Sequence, residues 1–461
     1  MSNIVQEAQN QVPPFNAADD RVVSSTYDGV GNKLTCTYPG QGPGTGRVIT
    51  TTYDVLDRKE SINDTIGAPQ LIATYDYIGP GRVERRDYGN GTRTEYAYDG
   101  ILPNPPNDFG VRMIVRTRHT VIGSACTTDA DCPTGATCEC PNPLDLVPCP
   151  APGVCIIDDR TVTWDRMGNK TRRKDVRANG PGLTHDYTYD SIYRLVRTVV
   201  TDPVAVVVRD QRYDLDGVGN RTTVTGGPDP GAYTMDPTTP EPADRQLNQY
   251  TTTPPDARQY DKNGNLTVMD EPPVGAPALR AVLYDYRNQM VEYVDHSVGA
   301  PPPGVHRYAY DALGRRIRKT VDATGVAGGP TETRFYLDGW QEIEEQDGAG
   351  TTVATYTFGL YIDEVLTMRR DVDADLTAED YFYHSDDLYN VTAVSDASGV
   401  AVERHDYADY GQPLDPVTLV PLISSSISNP LLFTGRRYDP ETSLYDYRTR
   451  YLDHEVVANL V

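Results

Sequence analysis

Polar and apolar positions alternate through much of this chain. In RTEYAY (residues 93–98), for example, Thr and Tyr alternate with Arg, Glu and Ala. A repeat of two residues is typical of a β-strand with one buried face. The 39 glycines and 36 prolines interrupt the chain too often for long helices. The pattern therefore predicts many short strands joined by turns.

A turn signal follows such a strand. In YDGVGNKL from Tyr27 and YDALGRRI from Tyr310, the aspartate can accept a hydrogen bond from the backbone two residues later. The glycine three residues after the aspartate can adopt a positive φ. A second strand comes next, so each unit is expected to form a β-hairpin whose edges are covered by neighbouring hairpins.

These units repeat along the chain. The dipeptide Tyr-Asp occurs 11 times, against roughly 3 occurrences expected from the composition. We also accept Trp164 in place of tyrosine, and pairs in which one or two residues separate the tyrosine from the aspartate. Successive aspartates then lie 22 to 27 residues apart, with one interval of 66. The predicted turn anchors are Asp28, Asp54, Asp76, Asp99, Asp165, Asp190, Asp214, Asp236, Asp261, Asp285, Asp311 and Asp338. We therefore predict an all-β fold of consecutive antiparallel hairpins, in a spiralling sheet that forms a shell, a tube or a coil.

The long interval contains a cysteine-rich segment. An even number of cysteines among Pro, Gly, Thr and Asp favours three disulfides, of undetermined connectivity, over a zinc site, because paired C-x2-C motifs are missing. The candidates are Cys126, Cys132, Cys138, Cys140, Cys149 and Cys155. Asp129 and Asp131 resemble a calcium loop only faintly, and a polar turn is preferred. Cys36 remains, either buried or free. We interpret the segment as a module inserted at a hairpin tip, where insertions are tolerated.

Composition and charge exclude several function classes. Hydrophobic residues make up 38% of the chain, and 32 Tyr stand against 6 Phe and 2 Trp, which suits a packed surface that still meets water. The formal charge of −24 opposes binding to nucleic acid or to an anionic membrane. Neither a membrane span nor a signal peptide is visible. The cysteine cluster favours an extracellular or cell-surface location.

The repeated motif Y-D-x-x-G-R/N resembles the YD repeats of Rhs proteins, of toxin-complex C components, of wall-associated bacterial proteins and of animal teneurins. The C-terminal third is similar to the Rhs-associated core in GLYIDEVLTMRRD (359–371), in residues 381–414 and in FTGRRYDPETSLYDYRTRYLD (433–453). The resemblance implies a bacterial-type sheet strip that curls into a hollow shell, with the core region sealing one end. In a β-sheet each residue covers about 3.4 by 4.8 Å, so a shell wall, meaning the curved sheet built from this chain, encloses little space. Two interpretations follow: the chain is part of a larger shell, or it forms a narrow coil that is filled by its own side chains.

Four regions are predicted from these features. They are YD repeats (1–118), a cysteine-rich insert (119–160), further YD repeats (161–355) and a core-like region that is truncated relative to the family (356–461).

Candidate chemistry is sparse. The resemblance implies self-cleavage by two aspartates, of which Asp439 in DPETS matches one, although Ser443 replaces the family's glycine. The second belongs to an R-F-x-S-P-D-P segment that residues 454–461 do not match, so Asp439 is a weak catalytic candidate and is expected to be a turn residue. We expect structural or surface roles for His384 and His405, and solvated loops at DVDAD (371–375) and at Asp386 and Asp387. No catalytic, cofactor or metal motif is present.

The sequence thus favours a non-enzymatic, extracellular β-sheet scaffold or shell, for encapsulation, surface structure, adhesion or filament assembly. One alternative is a fragment of a self-processing toxin-delivery protein of the Rhs or toxin-complex type. A carbohydrate-binding surface module is another. Expected partners are other copies of the chain through open sheet edges or a larger parent chain, and glycans or an encapsulated peptide, with no nucleic acid and no membrane insertion.

Overall fold

The computed structural model describes residues 5–9, 20–41, 46–65, 70–100, 113–139, 153–177, 180–227, 229–239, 242–269, 280–296, 304–322, 329–422, 424–454 and 458–460. Within these ranges the regular structure is almost entirely antiparallel β-sheet, in two large and two small sheets. Over the same ranges, no helix has the length and apolar character needed to cross a membrane.

The first large sheet has 17 strands. Each strand pairs with the next one in the chain, except that β9 pairs with β11 while the short β10 pairs with the start of β11. The strands are β1 (Gln6–Gln9), β2 (Arg21–Tyr27), β3 (Lys33–Thr37), β4 (Val48–Tyr53), β5 (Lys59–Asp64), β6 (Gln70–Ile78), β7 (Arg82–Tyr88), β8 (Thr92–Tyr98), β9 (Ile114–Cys126), β10 (Thr137–Glu139), β11 (Gly153–Trp164), β12 (Lys170–Asp175), β13 (Thr184–Tyr189), β14 (Leu195–Thr201), β15 (Val207–Leu215), β16 (Arg221–Thr225) and β17 (Gly231–Ala232).

The second large sheet has 13 strands, again paired in chain order. A short helix, α1 (Asp244–Leu247), precedes it. Its strands are β18 (Gln259–Tyr260), β19 (Leu266–Met269), β20 (Arg280–Tyr284), β21 (Met290–Asp295), β22 (Gly304–Tyr310), β23 (Arg316–Asp322), β24 (Thr331–Asp338), β25 (Gln341–Asp347), β26 (Thr352–Phe358), β27 (Val365–Arg370), β28 (Glu379–Ser385), β29 (Val391–Ser395) and β30 (Ala401–Arg404).

The C-terminal residues form two small sheets. One pairs β31 (Asp406–Tyr407) with β32 (Pro413–Leu414), and the other contains β33 (Arg437–Asp439), β34 (Leu444–Asp446), β35 (Tyr451–Asp453) and β36 (Ala458–Leu460). Two short 3-10 segments are also described, at Asp129–Asp131 and Phe433–Gly435.

The two large sheets face each other, and their facing side chains form the largest hydrophobic cluster. Val23 and Ile62 of the first sheet belong to the same buried cluster as Leu366 and Phe382 of the second. Hydrogen bonds also cross between the sheets, as from the Tyr88 hydroxyl to the carbonyl oxygen of Tyr383 at 2.6 Å. Apolar burial of this kind is the main stabilising contribution to such a sandwich. In this part of the wall, side chains fill the space between the sheets.

The predicted all-β fold of consecutive hairpins is confirmed. The division into four regions stays a prediction, and its boundaries near residues 118, 160 and 355 fall inside β9, β11 and β26. The cysteine-rich segment lies at the tip of the hairpin formed by β9 and β11.

Two disulfides are described at this tip. They join Cys126 to Cys138 and Cys132 to Cys155, while Cys140 and Cys149 lie outside the described residues. Asp131 accepts backbone hydrogen bonds from Thr127 and Thr128 and so stabilises a polar turn. Cys36 is a buried thiol, and burial raises its pKa to about 12.

Candidate functional site

The aspartate turns are the repeated local structure of the wall. Oδ1 of Asp28 accepts hydrogen bonds from the backbone N–H groups of Val30, Gly31 and Asn32 at 3.0, 2.8 and 2.9 Å. Its Oδ2 accepts a bond from the Asn32 side chain at 2.9 Å. Gly31 has a φ of 102°, which glycine adopts without strain. One carboxylate therefore fixes a turn of five residues.

The same arrangement recurs at other predicted anchors. Each carboxylate accepts bonds from the backbone N–H groups two and four residues later, at Asp54, Asp165, Asp190, Asp261, Asp285 and Asp311. Asp236 differs, since it accepts bonds from the residues two and three positions later. Asp338 instead bonds Lys33 of the facing sheet, with its oxygens at 2.7 and 2.6 Å from Nζ.

Two predicted anchors are wrong. Asp76 lies within β6, and its exposed carboxylate forms an ion pair with Arg85 of β7. Asp214 lies within β15, and the turn carboxylate is Asp216, which accepts bonds from residues 218, 219 and 220. In both cases the strand continues past the aspartate, so this Tyr-Asp pair lies inside the strand and does not mark the turn. The backbone N–H of Asp99 bonds the oxygen of Met113, but residues 101–112 lie outside the described residues.

Other turn aspartates were missed because no tyrosine precedes them. The same two backbone bonds, from residues two and four positions later, are accepted by Asp202, Asp347, Asp386 and Asp396. Asp386 is therefore a buried turn residue and not part of a solvated acidic loop. A better sequence signal for these turns than Tyr-Asp is an aspartate that lies four residues before the point where the alternation of apolar and polar residues begins again.

The tyrosine of the motif has a separate role. The hydroxyls of the motif residues Tyr53, Tyr189 and Tyr310 donate to backbone oxygens about 20 residues earlier, at distances of 3.0, 2.8 and 2.8 Å. Tyr77, which follows Asp76, makes a similar bond at 2.6 Å. Trp164, which replaces the tyrosine in one unit, donates its Nε1–H to the oxygen of Ile114 at 2.8 Å. In these units the aromatic residue thus links the hairpin to an earlier one.

Neighbouring turns are also linked at their tips, in what we call the turn row. The residue four positions after the turn aspartate reaches the next turn. Arg194 and Arg315 each donate to a backbone oxygen, of Asp216 and Gly339, at 2.7 Å. Asparagine instead donates to a side-chain oxygen of the next turn, from Asn32 to Asp57, from Asn220 to Asn248 and from Asn265 to Asn288.

A buried ionic cluster surrounds Asp439, the predicted weak catalytic candidate. Asp439 is 0% exposed at the end of β33, and its oxygens accept bonds from Arg316 at 2.5 Å and Lys319 at 2.9 Å. The Nε of Arg316 also lies 2.9 Å from the carboxylate of Asp446 on β34. The backbone of Asp439 does begin a tight turn, but its side chain has no solvent contact. A second carboxylate, Asp446, therefore shares the guanidinium, which the sequence did not reveal.

The two carboxylates of this cluster differ in proton affinity. Burial opposes the ionisation of Asp439, but Arg316 and Lys319 outweigh it and hold the pKa of Asp439 below its ordinary value. Burial raises the pKa of Asp446 to about 6, against the attraction of Arg316 and with the repulsion of Glu342 and Asp439. Near pH 6 the pair thus holds one ionised and one partly protonated carboxyl group, an arrangement that can transfer a proton.

The histidines singled out from the sequence are buried. His384 on β28 shares a bond with Ser395 at 2.9 Å, and its ring centroid lies 5.1 Å from that of His119. Burial lowers the pKa of His119 to about 4 and that of His384 well below its ordinary value, so both rings are neutral at pH 7. His405 lies 3.4 Å from Glu403. His119 and His384 fit a structural role.

One acidic loop has the geometry to hold a cation. Asp371, Asp373, Asp375 and Glu379 each place an oxygen within 4.8 Å of the others. Oxygen ligands of this kind suit Ca²⁺. The residues are half-buried or exposed, as acidic loops often are without an ion.

Known proteins resemble this chain in sequence over part of its length, although no family model matches it. It is 26% identical over 267 residues to the tRNA3(Ser)-specific nuclease WapA of Bacillus spizizenii, and 25% identical over 267 residues to the tRNA nuclease WapA of Bacillus subtilis. Each alignment covers 58% of this chain and 10% of the relative. The chain therefore spans about a tenth of the length of these relatives.

Solved structures share its fold over almost the whole chain. The Photorhabdus luminescens Tc holotoxin pore matches with a TM-score of 0.68, and the crystal structure of TcdB2-TccC3-TEV with 0.65. Both are 16% identical and cover 96% of this chain and 20% of the matched chain. The chain has the fold found in these Tc toxin structures.

Proposed function

We propose that this chain is a wall-forming part of a larger, extracellular toxin-delivery protein of the Rhs or toxin-complex type. The observation that carries the proposal is the structural match, which covers 96% of this chain but only 20% of the Tc toxin chain. The WapA relatives also support a part of a larger protein, because this chain spans about a tenth of their length. Toxin delivery thus gains more support than a free-standing adhesive or filament scaffold.

The wall itself is proposed to be non-catalytic. The formal charge of −24 opposes contact with tRNA, the substrate named for the WapA relatives. Within the described residues, the imidazole rings of His119 and His384 are buried and neutral at pH 7. Self-association through open sheet edges and binding of glycans or an enclosed peptide stay predictions.

The test uses the longest natural polypeptide that contains this chain. Limited proteolysis with mass spectrometry should show a segment outside the wall that resists the protease as long as the wall is folded. Arg86→Met removes a buried ion pair between Arg86 of the first sheet and Glu364 beside the second. This variant should expose the segment, whereas Arg172→Met, at an exposed ion pair within one sheet, should not. A natural polypeptide with no protected segment would contradict the proposal.

Self-cleavage is a second candidate activity, favoured by the buried pair of Asp439 and Asp446. Asp446 could act as the acid and Asp439 as the base, although its bonds to Arg316 and Lys319 make Asp439 a weak base. Intact-mass measurement of the longer polypeptide tests this. Cleavage that persists in both Asp439→Asn and Asp446→Asn would exclude these carboxylates.

A further inference from the structure

A cavity of about 320 Å³ lies between the second large sheet and the C-terminal loops. Its wall includes Lys319 of β23, Glu345 of β25, Arg370 of β27 and Arg437 of β33. Residues of the 424–430 segment form the other side, where Ser424 and Ser428 are exposed at the mouth. The volume lies at the lower end of the range of about 300–1,000 Å³ found for small-molecule pockets.

The charged groups of this cavity already have partners. Glu345 accepts bonds from Arg370 at 2.8 Å and from Arg437 at 2.6 Å. Lys319 lies 2.8 Å from Glu441 and 2.9 Å from Asp439. A charged ligand would have to displace one of these partners, which is costly inside a protein. The cavity is therefore suited to an uncharged ligand.

Two buried polar side chains in the cavity wall have unused hydrogen-bonding atoms. Asn429 is 5% exposed, and its Oδ1 accepts bonds from the Tyr383 hydroxyl at 2.7 Å and the Leu431 N–H at 2.9 Å. Its Nδ2 has no partner among the described residues. His405 is 4% exposed, and its Nδ1 likewise lacks a partner within the described ranges. Buried polar atoms without partners are uncommon in folded proteins.

We propose that this cavity binds a small, uncharged molecule that carries several hydroxyl groups, such as a monosaccharide or another polyol. A hydroxyl group both donates and accepts hydrogen bonds, so it can bond both the Asn429 amide and the His405 Nδ1. The exposed serines at the mouth offer further hydroxyl partners. This site is distinct from the proposed role of the wall in toxin delivery and does not depend on it.

Isothermal titration calorimetry on the whole chain tests the proposal, with D-glucose, D-galactose and glycerol as probes and acetate and phosphate as charged comparators. Thermal shifts are unsuitable, because sugars stabilise folded proteins in general by exclusion from their surface. We expect saturable binding of at least one hydroxyl probe and none of acetate or phosphate.

Variants then locate the binding. Asn429→Asp keeps an oxygen for Tyr383 and Leu431 but removes the unused donor, and it should weaken binding at least about tenfold. Ser424→Trp, at the exposed mouth, should block entry without altering the buried groups. Asn63→Asp makes the same chemical change on β5 of the first sheet and should leave binding unchanged. Binding of no hydroxyl probe, binding of acetate or phosphate alone, or equal affinity in all three variants would overturn the proposal.

Discussion

The two carboxylates that share Arg316 are expected to respond in opposite ways to the same substitution. Asp439→Asn removes a charge whose oxygens are both bonded to cations, Arg316 and Lys319. Asp446→Asn removes a charge for which the unfavourable effect of burial is larger than the stabilising effect of Arg316. Both changes replace a carboxylate by an amide of the same shape, so packing is preserved. The difference between the variants therefore reports the charge and the hydrogen bonds of each carboxylate and not their packing.

The magnitudes follow from the surroundings of each group. Removing one partner of a buried ion pair costs about 3–5 kcal/mol. Arg316 keeps Asp446 at 2.9 Å and Lys319 keeps Glu441 at 2.8 Å, so the cost of Asp439→Asn should lie near 3 kcal/mol, the lower limit of that range. A rise of the Asp446 pKa from 3.8 to about 6 makes its ionisation less favourable in the folded chain by roughly 3 kcal/mol.

The pH dependence follows from the same pKa. Between about pH 4 and pH 6 the folded chain holds the proton of Asp446 more tightly than the unfolded chain, so the contribution of Asp446 to the free energy of unfolding decreases as the pH rises. An amide cannot ionise. Asp446→Asn should therefore be more stable than the parent at neutral pH, by up to about 3 kcal/mol, and lack this decrease.

Urea unfolding followed by circular dichroism, at about pH 4.5 and about pH 7.5, measures both effects. Asp439→Asn should unfold at lower urea at both pH values, and Asp446→Asn at higher urea at the upper one. Equal losses of stability in the two variants at neutral pH would refute the reasoning. So would an unchanged pH dependence in Asp446→Asn.

Three other outcomes are expected. Asp386→Ala should lower the free energy of unfolding by about 2 kcal/mol, because three donors lose a buried acceptor, while Asp214→Ala in an exposed strand position should change the urea midpoint little. Acidification from about pH 6.5 to about pH 4 should remove up to about 3 kcal/mol of stability through His119, whose lowered pKa keeps it neutral in the folded chain, and His119→Gln should lose less in an acid titration. Reduction of the Cys132–Cys155 disulfide should increase hydrogen exchange at the hairpin tip but not in the second large sheet.

Much of the wall could be predicted because its turns depend on neighbouring residues. The bonds of Asp28 reach no farther than Asn32, so the hairpin is encoded within a few positions. The Tyr-Asp pair is an indirect signal of a turn. The aspartate alone holds the turn, whereas the tyrosine bonds residues outside it. This separation explains why Asp76 and Asp214 were misplaced.

The candidate site could not be predicted in the same way. Arg316 and Asp439 are 123 positions apart, and they meet only because the C-terminal strands pack against the second large sheet. Local alternation identifies which face of a strand is buried but not which distant segment covers it. Asp439 could be singled out by its resemblance to a family motif, whereas Asp446 and Asn429 carried no such signal.

The turn row constrains how a wall of this type can change in length. Its links from arginine end on backbone oxygens, as from Arg194 to Asp216 and from Arg315 to Gly339, which every residue provides. A whole hairpin can therefore be duplicated or deleted and the new neighbours still find an acceptor. A single inserted strand would move the following turns to the opposite edge and break the links. Genes for such walls should therefore gain or lose length in steps of one hairpin.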